Sequence, residues 1–87
     1  MYYVYVLESE ENGDFYKGST GDYIRRLEQH NFGQNQYSKS HRPWKLILVE
    51  EYESKKEALV REKKLKRCSR EYLNWLTKQA TNILSKK

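Results

Sequence analysis

Residues 2–8, Tyr-Tyr-Val-Tyr-Val-Leu-Glu, form an unbroken run of mostly aromatic and β-branched side chains. Such a run favours an extended strand over a helix. Asn12-Gly13 follows, a pair in which both positions tolerate positive φ, and residues 14–18 are predicted to return as a second strand. A chain that opens on a hairpin must build a sheet around it. A two-residue turn pairs Glu11 with Asp14, so paired residue numbers sum to 25. Side chains alternate along each strand, which places Tyr3, Tyr5 and Tyr16 on one face and Lys17 on the other. A three-residue loop would reverse that parity. Gly18 lacks a side chain and allows a close approach at the end of the second strand. Tyrosines are common in strands because they pack well, so alone they point no further than that.

The remaining pattern supplies helices and one more strand. Thr20 or Asp22 can cap a helix running to about Asn31, with Ile24 and Leu27 on its buried face. Residues 32–43 are polar, contain Gly and Pro, and are expected to form a loop. Trp44 to Tyr52 holds a third strand centred on Leu46-Ile47-Leu48-Val49, a continuous apolar run suited to the middle of the sheet. Ser54 and Glu57 make a capping box that opens a helix to about Arg67. Cys68-Ser69-Arg70-Glu71 breaks it and caps a last helix to about Leu84, whose apolar stripe is Tyr72, Leu73, Leu76, Ala80, Ile83 and Leu84. The predicted order is β-β-α-β-α-α: one α/β (α+β) domain over 1–87, with helices packed on a three-stranded, mainly antiparallel sheet. At 87 residues there is room for one modest core.

Charge narrows the function classes. Residues 1–24 hold Lys17 against five acids, while the remainder carries sixteen bases and seven acids. That asymmetry suits a surface for a polyanion, nucleic acid being the commonest, although lysines also merely solvate helices. No apolar run approaches the length of a membrane span, and no basic-then-apolar leader precedes the first strand. Cys68 is a single cysteine without zinc spacing, so a cytoplasmic, reducing location is expected.

Glu62 is the most informative single residue. In the second helix Ala58, Leu59 and Leu65 define the apolar stripe, and Glu62 falls inside it at three and four residues' spacing. A carboxylate avoids an apolar face unless it is paired or holds a metal. The structural alternative is a salt bridge to an arginine such as Arg26; Arg61, Lys63 and Lys64 point away. The first helix presents Arg26 and, four residues on, His30. Arginine is a planar fork for phosphate oxygens, and an ordinary histidine exchanges protons near neutral pH. Two tyrosines, an Arg, a His and this Glu are a set capable of metal-assisted phosphodiester hydrolysis.

Tyr3-Val4-Tyr5 and Tyr16-Lys17-Gly18 resemble the two half-motifs of the GIY-YIG nuclease family, with Tyr5 and Tyr16 at a similar spacing. Arg26 stands eight residues after Gly18, as in family nucleases, and His30 matches a His some of them carry. Glu62, in Leu59-Val60-Arg61-Glu62-Lys63-Lys64-Leu65-Lys66, matches the metal-binding Glu, and Asn74 is the nearest match to a later Asn. The likeness spans nearly the whole chain and is greatest to small single-domain members related to the nuclease domain of the excision-repair C subunit. Residues 38–46 also resemble the segment leading into the third strand of those members. Tyr3 replaces a Gly, Val4 an Ile and Lys17 an Ile of the family pattern. The resemblance implies a DNA repair or recombination setting and a site of Tyr5, Tyr16, Arg26, His30 and Asn74, with Mg²⁺ or Mn²⁺ on Glu62.

The expectation is therefore a Mg²⁺-dependent endonuclease acting on nucleic acid, foremost DNA. Arg26 would bind the scissile phosphate, Tyr5 would activate water with His30 assisting, and Tyr16 would orient water or phosphate. Lys39, His41, Arg42, Lys63, Lys66 and Arg67 are the expected nucleic-acid contacts. Little sequence specificity is expected unless a protein partner or the 32–43 loop supplies it. The oligomeric state, the choice of DNA or RNA and the identity of the general base stay open at this point. The alternative is a non-catalytic nucleic-acid-binding module, using the eight bases between Lys55 and Arg70. A protein-interaction domain presenting its tyrosines is a third reading.

Overall fold

The computed structural model describes residues 1–33 and 40–85, the latter without the Ser85 side chain. Strands β1 (Tyr2–Ser9) and β2 (Phe15–Thr20) form the hairpin, followed by helix α1 (Tyr23–Phe32) and strand β3 (Trp44–Tyr52). Helices α2 (Lys55–Leu65) and α3 (Arg70–Leu76) come next, and a 3-10 turn covers Ile83–Ser85. Among the described residues the architecture is the expected antiparallel three-stranded sheet with helices α1, α2 and α3 packed on it, in β-β-α-β-α-α order. Its strand order is β2-β1-β3, which places β1 rather than β3 in the middle. The run Val4 to Leu7 is accordingly buried on both faces. No helix among the described residues is long and apolar enough to cross a membrane.

The hairpin register differs from the expected one by two residues, since Tyr5 pairs with Gly18 and Leu7 with Tyr16. Four residues, not two, turn between Ser9 and Asp14, closed by Ser9 N–H to Asp14 C=O at 2.8 Å. The buried Ser9 hydroxyl explains the longer loop. It accepts from the Glu11 and Asn12 amides and donates to the His41 carbonyl, while Gly13 takes φ +79°. An even-numbered loop keeps the parity, so Tyr3, Tyr5 and Tyr16 do share a face and Lys17 lies opposite, paired with Val6.

Each face of the sheet has its own core. Val4, Val6 and Leu48 meet Ala58 and Leu65 of α2 and Leu73 and Leu76 of α3 in an aliphatic core. Tyr5, Leu7, Trp44 and Val49 form an aromatic core with Tyr16, Tyr23 and Leu27 packed against it. A bulge in β3 makes this division possible. Val6 pairs with Leu48 but Leu7 with Leu46, leaving Ile47 as the extra residue. The slip turns Ile47 to the aliphatic core and brings Leu46 and Trp44 to the aromatic one.

Three burial expectations are corrected. Ile24 is 55% exposed, and α1 instead turns Tyr23, Leu27 and the fully buried His30 inward. Leu59 is also exposed, so α2 is anchored by Ala58 and Leu65 alone. The last helix stops at Leu76 instead of continuing to Leu84, and Tyr72 and Ala80 are exposed. Asn82 explains the stop. Its buried amide accepts from Val49 N–H at 3.0 Å and donates to Ile47 C=O at 3.1 Å, satisfying the outer edge of β3. The chain thereby rounds that edge, and Ile83 and Leu84 join the aromatic core on the far face.

Three helix starts follow the sequence. Asp22 caps α1 by accepting from Arg25 N–H, Ser54 accepts from Glu57 N–H at the start of α2, and Ser69 accepts from Tyr72 N–H at the start of α3. Within the segment expected to be a loop, Phe32 ends α1 and Ser40 and His41 are helical; residues 34–39 lie outside the described residues.

Candidate active site

The aromatic face brings four of the expected residues together. Tyr5 projects from the central strand, Tyr16 from its neighbour, and Arg26 and His30 from α1, which Leu27 holds against the sheet. The Tyr5 hydroxyl is hydrogen-bonded to His30 Nε2 at 3.1 Å. The Tyr16 ring lies 4.5 Å from the imidazole and 6.3 Å from the Tyr5 ring, centroid to centroid. Arg26 sits beside the Tyr5 hydroxyl and is steadied by donating to Gln29 Oε1 at 2.8 Å.

The electrostatics are those of a sheltered polar cluster. Burial pushes the Tyr5 hydroxyl up, the Arg26 guanidinium beside it pulls down, and the charges of Tyr16 and Glu62 add to the rise. Contact with Tyr5 in turn raises Arg26. Burial, reinforced by Arg26, takes His30 down to about 4, away from the near-neutral range expected of an ordinary imidazole. His30 is neutral at physiological pH, and among the described residues its Nδ1 has no hydrogen-bond partner. A buried lone pair is a more tolerable orphan than a buried N–H. The favoured tautomer thus carries its proton on Nε2 and donates it to Tyr5.

Glu62 approaches from the other face. α2 packs on the aliphatic side, and at the outer strand β2 the Glu62 carboxylate accepts from Ser19 Oγ at 2.7 Å. Its second oxygen pairs with Lys66 Nζ at 3.0 Å, and the side chain is 16% exposed against 57% for Lys66. Among the described residues Glu62 pairs with Lys66 and not with Arg26, and a part-buried arginine pair joins Arg61 to Glu50. Arg61 therefore does not point away, as expected from the helix wheel, but donates to both Glu50 oxygens at 2.8 and 3.2 Å.

The donor set at Glu62 suits one kind of ion. A single carboxylate, with water and phosphate oxygens completing the shell, is how Mg²⁺ is commonly held. Among the described residues, the exposed Lys66 is the charged partner of Glu62 that such an ion would displace. No three His, Cys, Asp or Glu side chains converge among the described residues, so no zinc-type cage is built there.

The other expected residues lie apart from this cluster. Asn74 is exposed on α3 and lines a depression with Glu8, Lys45, Ile47 and Asn82. His41 pairs with Asp14 at 3.5 Å near the hairpin turn, and Arg42 donates to the Asn31 carbonyl. Lys63 and Arg67 are exposed on and just beyond α2, while Lys66 is engaged with Glu62. Lys39 lies outside the described residues. Tyr3, in place of the family Gly, packs edge-on against Tyr23 at 5.0 Å.

Two residues of the site were missed in the sequence. Ser19 follows Gly18 directly, yet its partnership with Glu62 is visible only once α2 is docked. Trp44 approaches Tyr16 at 6.2 Å, and the β3 bulge that brings it there leaves no sequence signal.

A family model described as the GIY-YIG catalytic domain matches residues 1–75. The chain belongs to the GIY-YIG family. Within it, this GIY-YIG chain is 39% identical over 71 residues to a UPF0213 protein of Halobacterium salinarum, covering 80% of the chain and 91% of the relative. A UPF0213 protein of Staphylococcus aureus is also 39% identical, over 80% of this chain and 85% of its own. The solution NMR structure of a UPF0213 protein from Bacillus halodurans superposes with a TM-score of 0.58 at 31% identity. That superposition covers 98% of this chain and 92% of the other. GIY-YIG domains define a nuclease family, and the matched residues 1–75 include Tyr5, Tyr16, Arg26 and Glu62.

Proposed function

We propose that the chain is a metal-dependent endonuclease that hydrolyses phosphodiesters, foremost in DNA and with little sequence specificity. One observation carries the reading: Tyr5, Tyr16, Arg26 and His30 meet in one cluster, and the Glu62 charge acts on Tyr5. Arg26, anchored by Gln29, would hold a phosphate oxygen of the scissile group with its planar fork. Tyr5 is a neutral phenol at rest, because burial outweighs Arg26, and it would position the attacking water by hydrogen bonding. The His30 Nε2–H and Arg26 both stabilise negative charge on the Tyr5 oxygen, which favours loss of the phenol proton to solvent, and the resulting phenolate would then accept a proton from that water. Tyr16, stacked on Tyr5 and edge-on to Trp44, would fix the water or phosphate opposite. Glu62, oriented by Ser19, would hold Mg²⁺ or Mn²⁺, which when bound neutralises phosphate charge and favours the phenolate.

The nucleic-acid contacts in this reading are Lys63 and Arg67, with His41 and Arg42 before β3; Lys39, also expected, lies outside the described residues. A protein partner would supply any sequence preference, and a reducing cytoplasm suits the lone Cys68. Crystals soaked in Mn²⁺ provide one test: a manganese peak beside Glu62, within reach of both tyrosines, is expected.

The Lys66–Glu62 ion pair favours a second reading, a binding module that keeps the fold. A lysine that permanently neutralises Glu62 leaves no charge to attract a cation. Salt-dependent binding undiminished by EDTA, without cleavage of any DNA or RNA, would be its signature.

A further inference from the structure

An aromatic pair on α3 is used neither by the core nor by the site. Tyr72 and Trp75 are 40% and 54% exposed, and their rings stack at 5.7 Å with 26° between planes. Leu73 and Leu76 provide the helix's anchorage, so nothing in the fold requires rings at 72 and 75. Tyr72 lies near Arg61, and Arg61 lines a groove of about 370 Å³ with Tyr52, Lys56, Glu57, Val60 and Lys64. Lys63, Lys64 and Arg67 continue the basic rim around Val60.

Open aromatic surface beside a row of cations has a specific chemical complement. Unpaired bases stack on rings while their phosphates meet lysine and arginine; a duplex keeps its base faces inside. The eight bases against two acids between Lys55 and Arg70 would repel a second copy of this chain. We infer that Tyr72 and Trp75 form a stacking platform for an unpaired nucleotide, with Lys64 and Arg67 holding its backbone. The inference rests on the nucleic-acid reading above and sharpens its substrate class to single strands, or duplexes bearing a single-stranded end. Lys64 lies on α2, the helix that also carries Glu62, so the basic rim of the platform and the candidate metal ligand share one element.

Intrinsic fluorescence tests this directly, because Trp44 is 3% exposed and Trp75 is the accessible reporter. Wild-type protein in EDTA is titrated with oligodeoxyuridylate, oligouridylate and a blunt hairpin duplex. Quenching by a single strand but not by the duplex is expected, with the tighter oligomer naming the preferred sugar. Trp75→Ala, followed by anisotropy of a labelled strand, should weaken single-strand binding by roughly 5- to 150-fold, and Trp75→Phe should restore most of it. Circular dichroism confirms that the exposed position leaves the fold intact. Trp75→Ala protein that binds single strands as tightly as wild type, or equal quenching by the blunt duplex, overturns the platform alone. Wild-type protein that binds none of the three overturns the nucleic-acid reading with it.

Discussion

The Tyr5 ring lies across the backbone of its cross-strand partner Gly18. A Cβ on that glycine would stand 2.5 Å from the phenol oxygen and 2.7 Å from Cζ. The glycine of the second half-motif is thus the space the first half-motif's tyrosine occupies, and it sets where the hydroxyl meets His30. Gly18→Ala is expected to displace the ring and cost about 1–3 kcal/mol of stability, as overpacking does. The cost should largely vanish when Tyr5 is already Ala, a coupling that a double-mutant cycle in urea would measure.

His30 makes stability depend on pH in a defined direction. It titrates at about 4 in the fold, against about 6.5 in the unfolded chain. Below about pH 6.5 the unfolded chain takes up a proton that the folded chain excludes. Stability present above that pH is therefore lost as pH falls toward 4, by at most ~1.4 kcal/mol per pH unit. Urea midpoints of wild type and His30→Gln should diverge across this window, the variant losing less on acidification.

Among the described residues, the Ser19 hydroxyl orients Glu62 and hydrogen-bonds to no other member of the cluster. Ser19→Ala should raise the Mg²⁺ concentration for half-maximal cleavage by roughly 10- to 100-fold, typical of losing a ligand's supporting partner. Maximal turnover at saturating Mg²⁺ should change far less. An unchanged metal dependence with reduced turnover would assign Ser19 to the substrate instead.

Glu50 and Arg61 hold the aliphatic side together. Glu50 is 3% exposed, bonded twice by Arg61 and once by the Tyr52 hydroxyl, which its burial and the carboxylate push up to about 12. Glu50→Ala strands the arginine and should cost about 3–5 kcal/mol, whereas Glu50→Leu with Arg61→Met should cost much less. Thermal and urea unfolding of the three proteins would show it.

Most of this fold is local and was legible from local patterns. The hairpin, both serine caps and the extent of β3 follow from side-chain type and turn chemistry within a few residues. What escaped depends on contacts across the chain. The buried Ser9 hydroxyl lengthens the turn through His41, and Asn82 ends the last helix by satisfying β3, thirty-odd residues earlier. β3 reads as central because its apolar run is continuous, but the run reflects a bulge serving two cores. In the candidate site, the Tyr5, Arg26 and Glu62 positions were visible from spacing. The neutral His30 and the Ser19 support were not, since burial and helix docking create them.

The central claim is that this cluster cuts nucleic acid through an ion held by Glu62. Supercoiled DNA incubated with purified protein and Mg²⁺ is the direct measurement, scored by conversion to nicked circles. Nicking that requires Mg²⁺, stops in EDTA and is lost in Glu62→Ala protein of unchanged fold is predicted. Nicking that persists undiminished in the Glu62→Ala protein would contradict the account.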